Sequence, residues 1–88
     1  MANHKSALKE HRQSLKRRTR NRNHRARMRT AVKRLRAAID SGDAEAGRSL
    51  LPTAVALVDR TAKLGAIHER AASRTKSRLT RALNKLGA

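Results

Sequence analysis

The side chains with the clearest chemistry are the arginines and lysines in the first third of the chain. Between Lys5 and Arg36 there are fourteen of them against one acidic residue, Glu10, with no Gly, Pro, Cys or aromatic side chain. Charges this dense repel one another unless closely spaced negative charges neutralise them, and phosphate backbones carry the densest such array. Arginine predominates, and its planar guanidinium donates paired hydrogen bonds to phosphate oxygens. The composition therefore predicts a surface that binds a polyanion.

Catalytic and metal-binding chemistry have few candidate residues. The chain has four histidines and no cysteine, which excludes a disulfide framework and a thiolate zinc site. His4 and His11 lie about 10.5 Å apart by helical rise, too far for one metal ion. Asp40, Asp43 and Glu45 fit helix ends better than acid–base catalysis, and the four scattered glycines build no phosphate loop. We expect no enzyme, no cofactor and no metal site.

Charge divides this small chain into two basic arms and a near-neutral middle. Residues 1–36 carry 14 basic residues and 1 acidic residue. Residues 37–65 carry 3 basic and 4 acidic residues, and residues 66–88 carry 6 basic residues and 1 acidic residue. At 88 residues the chain is one domain, near the size at which a single core is only marginally stabilising. The middle zone must therefore supply the packing that holds the two basic arms in place.

Two turn signals predict three helices. Gly42 is placed to end one helix and Asp43 to cap the next. Gly65 marks a second break, and His68 after it fits a loop or capping role, with a protonated phosphate contact as the alternative. No alternating strand pattern occurs in the sequence. The predicted fold class is all-α, a three-helix bundle in a single domain over residues 1–88.

The first helix is predicted to run from about residue 4 to residue 40. Four apolar residues recur at helical spacing and form its core stripe: Met28, Val32, Leu35 and Ile39. Upstream the stripe stops, because Leu8 and Leu15 lie on another face and basic residues surround most of the helix. Residues 1–27 are therefore expected to project, to fray in the free protein and to become ordered on the ligand. Residues 28–88 are expected to form the bundle.

The second segment, Asp43 to Leu64, supplies most of the apolar core. Pro52 complicates it, because a proline inside a helix removes one backbone donor and costs about 3 kcal/mol. Either one helix kinks near residues 48–52, or Ser49 caps a helix that has Pro52 in its first turn. We favour the single kinked helix, because an opening after Asp43 places acidic residues near the positive end of the helix dipole.

The third segment has an apolar face and a separate basic face. Five cations recur at helical spacing and form what we call the basic ridge: Arg70, Arg74, Arg78, Arg81 and Lys85. A solvated helix face is the ordinary interpretation, but such faces usually interleave Glu with Lys at i, i+4. No acidic residue follows Glu69. We therefore expect the ridge to contact phosphates, with Lys76 on another side of the helix.

The chain contains no Phe, Tyr or Trp, which disfavours single-strand binding by stacking of bases on aromatic rings. Recognition of folded nucleic acid by shape remains, and a small architectural DNA-binding protein of the nucleoid stays open as the alternative. The longest apolar run, Ala54 to Val58, is about a quarter of a membrane span. Residues 1–27 also lack the apolar face of a membrane-surface peptide.

An arginine-rich, acid-poor N-terminus is also typical of a mitochondrial transit peptide. Against that interpretation, the basic character returns near the end of the chain, which a cleavable address does not need. A chain without cysteine is compatible with a reducing compartment. The cytosol is therefore the expected location.

Stretches along the whole chain are similar to one known family. They are Met1-Ala2-Asn3 with Lys5-Ser6-Ala7, Arg27-Met28-Arg29-Thr30 with Ala37-Ala38-Ile39-Asp40-Ser41-Gly42-Asp43, Val58-Asp59-Arg60 with Gly65-Ala66-Ile67-His68, and Lys76-Ser77-Arg78-Leu79-Thr80 with Asn84-Lys85-Leu86. Together they resemble the bacterial small-subunit ribosomal protein S-twenty family. The resemblance implies a three-helix bundle that binds small-subunit (16S) ribosomal RNA directly during assembly, as a monomer within the ribosome. Pro52 departs from the uninterrupted second helix associated with the family.

The resemblance also implies RNA contacts on two sets of residues. One is the basic ridge, and the other, which we call the first-helix set, comprises Lys5, Lys9, Arg12, Lys16, Arg17, Arg18, Arg20, Arg22, Arg25, Arg27 and Arg29. The extended helix is expected to lie between RNA helices and to neutralise phosphates that would hold them apart. The ridge is expected to hold a second site, with no membrane and no small-molecule substrate involved.

Overall fold

The computed structural model describes residues 2–87, with side chains from Lys5 onward; Met1 and Ala88, at the ends of the predicted ranges, lie outside the described residues. Three helices and no strand occupy the described range. They are α1 (Ala2–Asp40), α2 (Ala44–Lys63) and α3 (Glu69–Gly87). The all-α fold class, the three helices and the long first helix are confirmed.

The core lies where α2 packs against both of its neighbours. The most deeply buried apolar side chains come from all three helices: Leu35 of α1, Ala54 and Val58 of α2, and Leu79 of α3. Val32 and Ile39 are half-buried beside them, so the apolar stripe of α1 faces the bundle as predicted. Burying these side chains supplies the main stabilising free energy of the fold.

Both turns end a helix on a glycine in the left-handed conformation. Gly42 has φ +80° and Gly65 has φ +78°, a region that side chains with a Cβ rarely adopt. The amide of Asp43 donates to the carbonyl of Ala38, and the amide of Ala66 donates to that of Thr61, both at 3.0 Å. These six-to-one hydrogen bonds are those of a Schellman motif. The positions of both breaks are confirmed.

Pro52 lies inside α2, which continues through it without interruption. Ser49 therefore sits within the helix and does not begin one, which confirms a single helix; the kink near residues 48–52 stays a prediction. Asp43 is the N-cap instead, and its Oδ1 accepts a hydrogen bond from the amide of Ala46 at 3.0 Å. Because proline has no N–H, the carbonyl of Arg48 lacks its usual helical donor.

The molecule is elongated because α1 is about twice as long as its partners. Its principal extents are 66 × 19 × 15 Å and its radius of gyration is 17.5 Å, against about 12 Å for a compact chain of this length. The start of α3 lies near the middle of α1, where Arg25 Nη1 donates to the carbonyl of Ala66 at 3.3 Å. The second half of α1 therefore runs beside α3, and its first half extends beyond the bundle.

Candidate nucleic-acid interface

The first half of α1 is uncovered along every face. All residues from 5 to 20 are exposed, and even Leu8 and Leu15 keep 47% and 45% of their surface accessible. No other helix in the described range covers this segment, because α2 and α3 pack only against the second half of α1. We call residues 5–20 the projecting arm.

Ten of the eleven residues in the first-helix set are exposed, and Arg25 is half-buried. From Lys5 to Arg29 the set extends about 36 Å along the helix axis. Only Glu10 adds negative charge in that length. The arm and the turns that follow it therefore present cations in several directions at once.

Packing of α1 begins upstream of Met28, through polar residues. Asn21, His24 and Arg25 are half-buried, and the Nδ1 atom of His24 is buried without a hydrogen-bond partner among the described residues. Together with Met28 these positions follow the i, i+3, i+4, i+7 spacing of one helix face. The apolar stripe of α1 does not include Asn21, His24 or Arg25. The same helical spacing, applied to polar residues as well, indicates that they face the bundle.

The basic ridge occupies the exposed side of α3. All five of its side chains are exposed, whereas Ala72, Leu79 and Leu83 are buried on the other side of the helix. The guanidinium of Arg81 is held by the Ser77 hydroxyl, which accepts from Nε at 3.1 Å and from Nη2 at 2.7 Å. The predicted separation of the two faces is confirmed.

The ridge has no acidic partner in the described part of the chain. The one ion pair there joins Lys76 Nζ to Asp59 Oδ1, so Lys76 lies apart from the ridge, as expected. The ridge extends about 22 Å from Arg70 to Lys85. Its charge is therefore available to an external anion along the length of α3.

The other candidate residues of the sequence serve helix ends. Glu45 lies in the first turn of α2, next to the Asp43 cap, and His68 Nδ1 accepts from the amide of Arg70 at 3.1 Å. The capping role of His68 is confirmed. Asp40 is different, because it lies in the last turn of α1, where the helix dipole disfavours a carboxylate.

Three further exposed cations, Lys33, Arg34 and Arg36, extend the basic surface along the packed half of α1. They belong to the basic stretch of the sequence but not to the first-helix set. Among the residues that the structure describes, no group of three His, Cys, Asp or Glu side chains could hold a metal ion. Nor is any of the three helices long and apolar enough to cross a membrane.

Comparison with known proteins identifies the family. A model of the family described as "Ribosomal protein S20" matches residues 2–84. The chain belongs to this family. Proteins named "Small ribosomal subunit protein bS20" are similar over their whole length. That of Trichlorobacter lovleyi is 46% identical over 87 residues, covering 99% of this chain and all of that protein. That of Maridesulfovibrio salexigens is 48% identical over 86 residues, covering 98% of this chain and 99% of that protein.

Membership of the ribosomal protein S20 family confirms the resemblance inferred from the sequence stretches. The family is one of ribosomal structural proteins and not of enzymes. A more distant relative, from Caldicellulosiruptor bescii, is 41% identical over all 88 residues and is matched over 89% of its length. The two exposed basic surfaces therefore belong to a member of the ribosomal protein S20 family.

Proposed function

We propose that this chain binds small-subunit ribosomal RNA directly and joins two RNA elements through phosphate contacts during assembly of the subunit. The observation that supports this most strongly is the pair of exposed cationic surfaces, the projecting arm with the first-helix set and the basic ridge. They lie on different helices and have no acidic partners among the described residues. A protein that contacted one RNA element would need only one of them.

The arm acts by neutralising phosphates that face each other. Two RNA helices repel when they approach, because each carries a dense row of negative charge. A helix with cations on all of its faces satisfies both rows at once, since guanidinium groups on opposite sides reach different strands. The ridge contributes cations from one side only and holds a single second site.

The partner is the RNA of the subunit to which the relatives' names refer. No aromatic residue is present for base stacking, so affinity comes mainly from phosphate contacts and shape. The chain acts as a monomer within the cytoplasmic ribosome, and it uses no membrane, cofactor or small-molecule substrate.

Chemical footprinting of small-subunit ribosomal RNA tests the bridge. The full chain should protect at least two separate regions. A variant with Arg17, Arg18, Arg20 and Arg22 replaced by Gln should lose the protection that the arm gives, and a variant with Arg70, Arg74, Arg78 and Arg81 replaced by Gln should lose only the protection that the ridge gives. Protection of a single short region by the unmodified chain would contradict the bridging mechanism.

Competition with duplex DNA tests the choice of nucleic acid. Structured ribosomal RNA and duplex DNA of equal length are compared at matched salt, because electrostatic affinity is meaningful only at a stated ionic strength. We expect the RNA to bind more tightly, with a steep salt dependence. Equal affinity for the two would favour a general architectural protein of the nucleoid.

A further inference from the structure

A groove between α1 and α3 is open to solvent beside both basic surfaces. α2 packs against both neighbours, whereas α1 and α3 meet over a shorter length. The groove has a volume of about 510 Å³, and its half-buried floor is formed by Met28, Val32 and Thr75. Sites for small ligands typically have volumes of roughly 300–1,000 Å³. The groove is therefore roomy and open enough to admit part of a ligand from solvent.

The exposed rim of this groove carries three cations and one carboxylate. Arg29, Lys33 and Arg36 lie along one side of α1, and Asp40 lies at the end. Asp40 makes no ion pair among the described residues, and the helix dipole disfavours a carboxylate in this last turn. The helix dipole does not explain its place, and because it forms no ion pair its oxygens are open to a ligand donor.

An apolar floor below a cationic rim fits a planar, uncharged ring that is linked to anions. A nucleotide whose base has left its stack has this chemistry: the base would pack on Met28 and Val32 while its phosphates meet the rim. Asp40 can accept a hydrogen bond from an exocyclic amino group, as acidic side chains do with cytosine. Single-stranded bulges and loops are where such bases are available.

A protein helix fits the groove less well. The three cations on its rim favour an anionic partner, and the RNA bound by the two neighbouring surfaces supplies closely spaced phosphates. The position of the groove also favours RNA, because a second depression, lined by Arg36, Asp40 and Arg78, continues from it. Arg29 belongs to the first-helix set and Arg78 to the basic ridge. The groove therefore lies between the two basic surfaces.

We propose that the groove between α1 and α3 binds one unstacked RNA nucleotide whose base carries an exocyclic amino group. This site rests on the proposed function, which supplies the RNA. It differs from the phosphate contacts in kind, because it adds an apolar contact whose strength does not depend on salt. The nucleotide would thereby fix the register of the RNA on the protein.

Filling the groove tests the proposal without changing any charge. Ala37 is exposed and lines the groove, so Ala37→Leu places a larger side chain where the base would lie. Ala56→Leu is the matched control, because Ala56 is also exposed but lies on α2, away from the groove. With small-subunit ribosomal RNA as the probe, Ala37→Leu should weaken binding about tenfold, the usual scale for loss of one base contact, at an unchanged salt slope.

The possible outcomes separate this site from the general function. If the unmodified chain does not bind the RNA, the proposed function fails and this site fails with it. If the unmodified chain binds, and Ala37→Leu binds as tightly as Ala56→Leu, only the groove proposal is overturned. Thermal unfolding of both variants at the temperature of the unmodified chain shows that neither result comes from misfolding.

A crosslink identifies the occupant. A benzophenone side chain at position 37 is activated in assembled small subunits, with position 56 as the control, and the RNA is mapped by reverse-transcription stops. One unpaired adenosine, guanosine or cytidine crosslinked only from position 37 supports the proposal. A crosslink to uridine, to paired RNA or to a neighbouring protein would overturn it.

Discussion

The projecting arm and α3 carry similar cations, but they differ in whether the helix behind those cations is packed against the core. In α3 the cations share one side because Ala72, Leu79 and Leu83 are buried on the other, so the core fixes the direction in which they point. In the arm every residue is exposed, and no tertiary contact supports the helix. The difference shows that charge density alone does not organise a binding surface, whereas an apolar face behind the charge does.

The same difference sets how much conformational entropy each surface loses when it binds RNA. The backbone of the ridge is already held by the core, so little backbone entropy is lost when the ridge binds RNA. The arm must stay helical although its neighbouring charges repel one another, and no packing contact stabilises that helix. We therefore expect RNA to supply part of the free energy that orders the arm.

The largest contrast is expected from two leucine substitutions. Leu79 is 2% exposed, so Leu79→Ala should lower the free energy of unfolding by about 2–5 kcal/mol through the cavity it leaves. Leu15→Ala, in the arm, should change it by less than about 0.5 kcal/mol. Urea denaturation followed by circular dichroism measures both. Similar losses for the two variants would mean that the arm is packed in solution.

Amide exchange compares the two halves of α1 directly. In the free protein, residues 8–20 should exchange about a hundredfold faster than residues 30–39, because only the latter are held by the core. Binding of small-subunit ribosomal RNA should slow exchange in the arm much more than in the bundle. Equal protection of the two halves before RNA is added would contradict the expectation that RNA orders the arm.

Removing the helix-interior proline should separate bundle stability from RNA affinity. Pro52→Ala restores a backbone donor to the carbonyl of Arg48 and should stabilise the bundle by about 1–3 kcal/mol. RNA affinity should stay unchanged, because the arm does not draw its order from α2. Thr53→Ala, at the next exposed position, is the control. A gain in affinity that follows the gain in stability would link the arm to the bundle.

The smallest effects should locate the boundary between the arm and the bundle. Arg22 is exposed and Arg25 donates to the carbonyl of Ala66. Arg25→Ala should therefore lower the free energy of unfolding by about 1 kcal/mol, whereas Arg22→Ala should leave stability unchanged and reduce the salt slope of RNA binding by about one unit. If Arg25→Ala costs no stability, the boundary lies closer to Met28.

Local signals in the sequence predicted much of this structure. The stripe through Leu35, the glycine at position 42, the Asp43 cap and the two faces of α3 each depend on residues within a few turns of one another. Helical spacing and capping chemistry are local, so they can be read from the chain alone. These features therefore agree closely with the observed helices and turns.

Features that depend on how the helices meet could not be predicted in this way. Arg25 and Ala66 are 41 residues apart, and nothing in the local pattern pairs them. Arginine also packs its aliphatic stem while its charge remains near solvent, so a search for apolar stripes passes over it. The groove between α1 and α3 likewise arises from their separation in space, which periodicity within one helix does not encode.

Once RNA has ordered the arm, the unbroken backbone of α1 makes the arm move as one rigid rod with the second half of the helix. No glycine or proline interrupts it between Arg25 and Lys5, so any change in how the second half of α1 sits on α2 is transmitted to the tip. From Arg25 to Lys5 the helix is about 30 Å long by helical rise. A tilt of about 10° at Arg25 would therefore displace Lys5 by about 5 Å, close to the spacing of neighbouring phosphates. Small adjustments in the bundle can thus select which phosphates the tip meets.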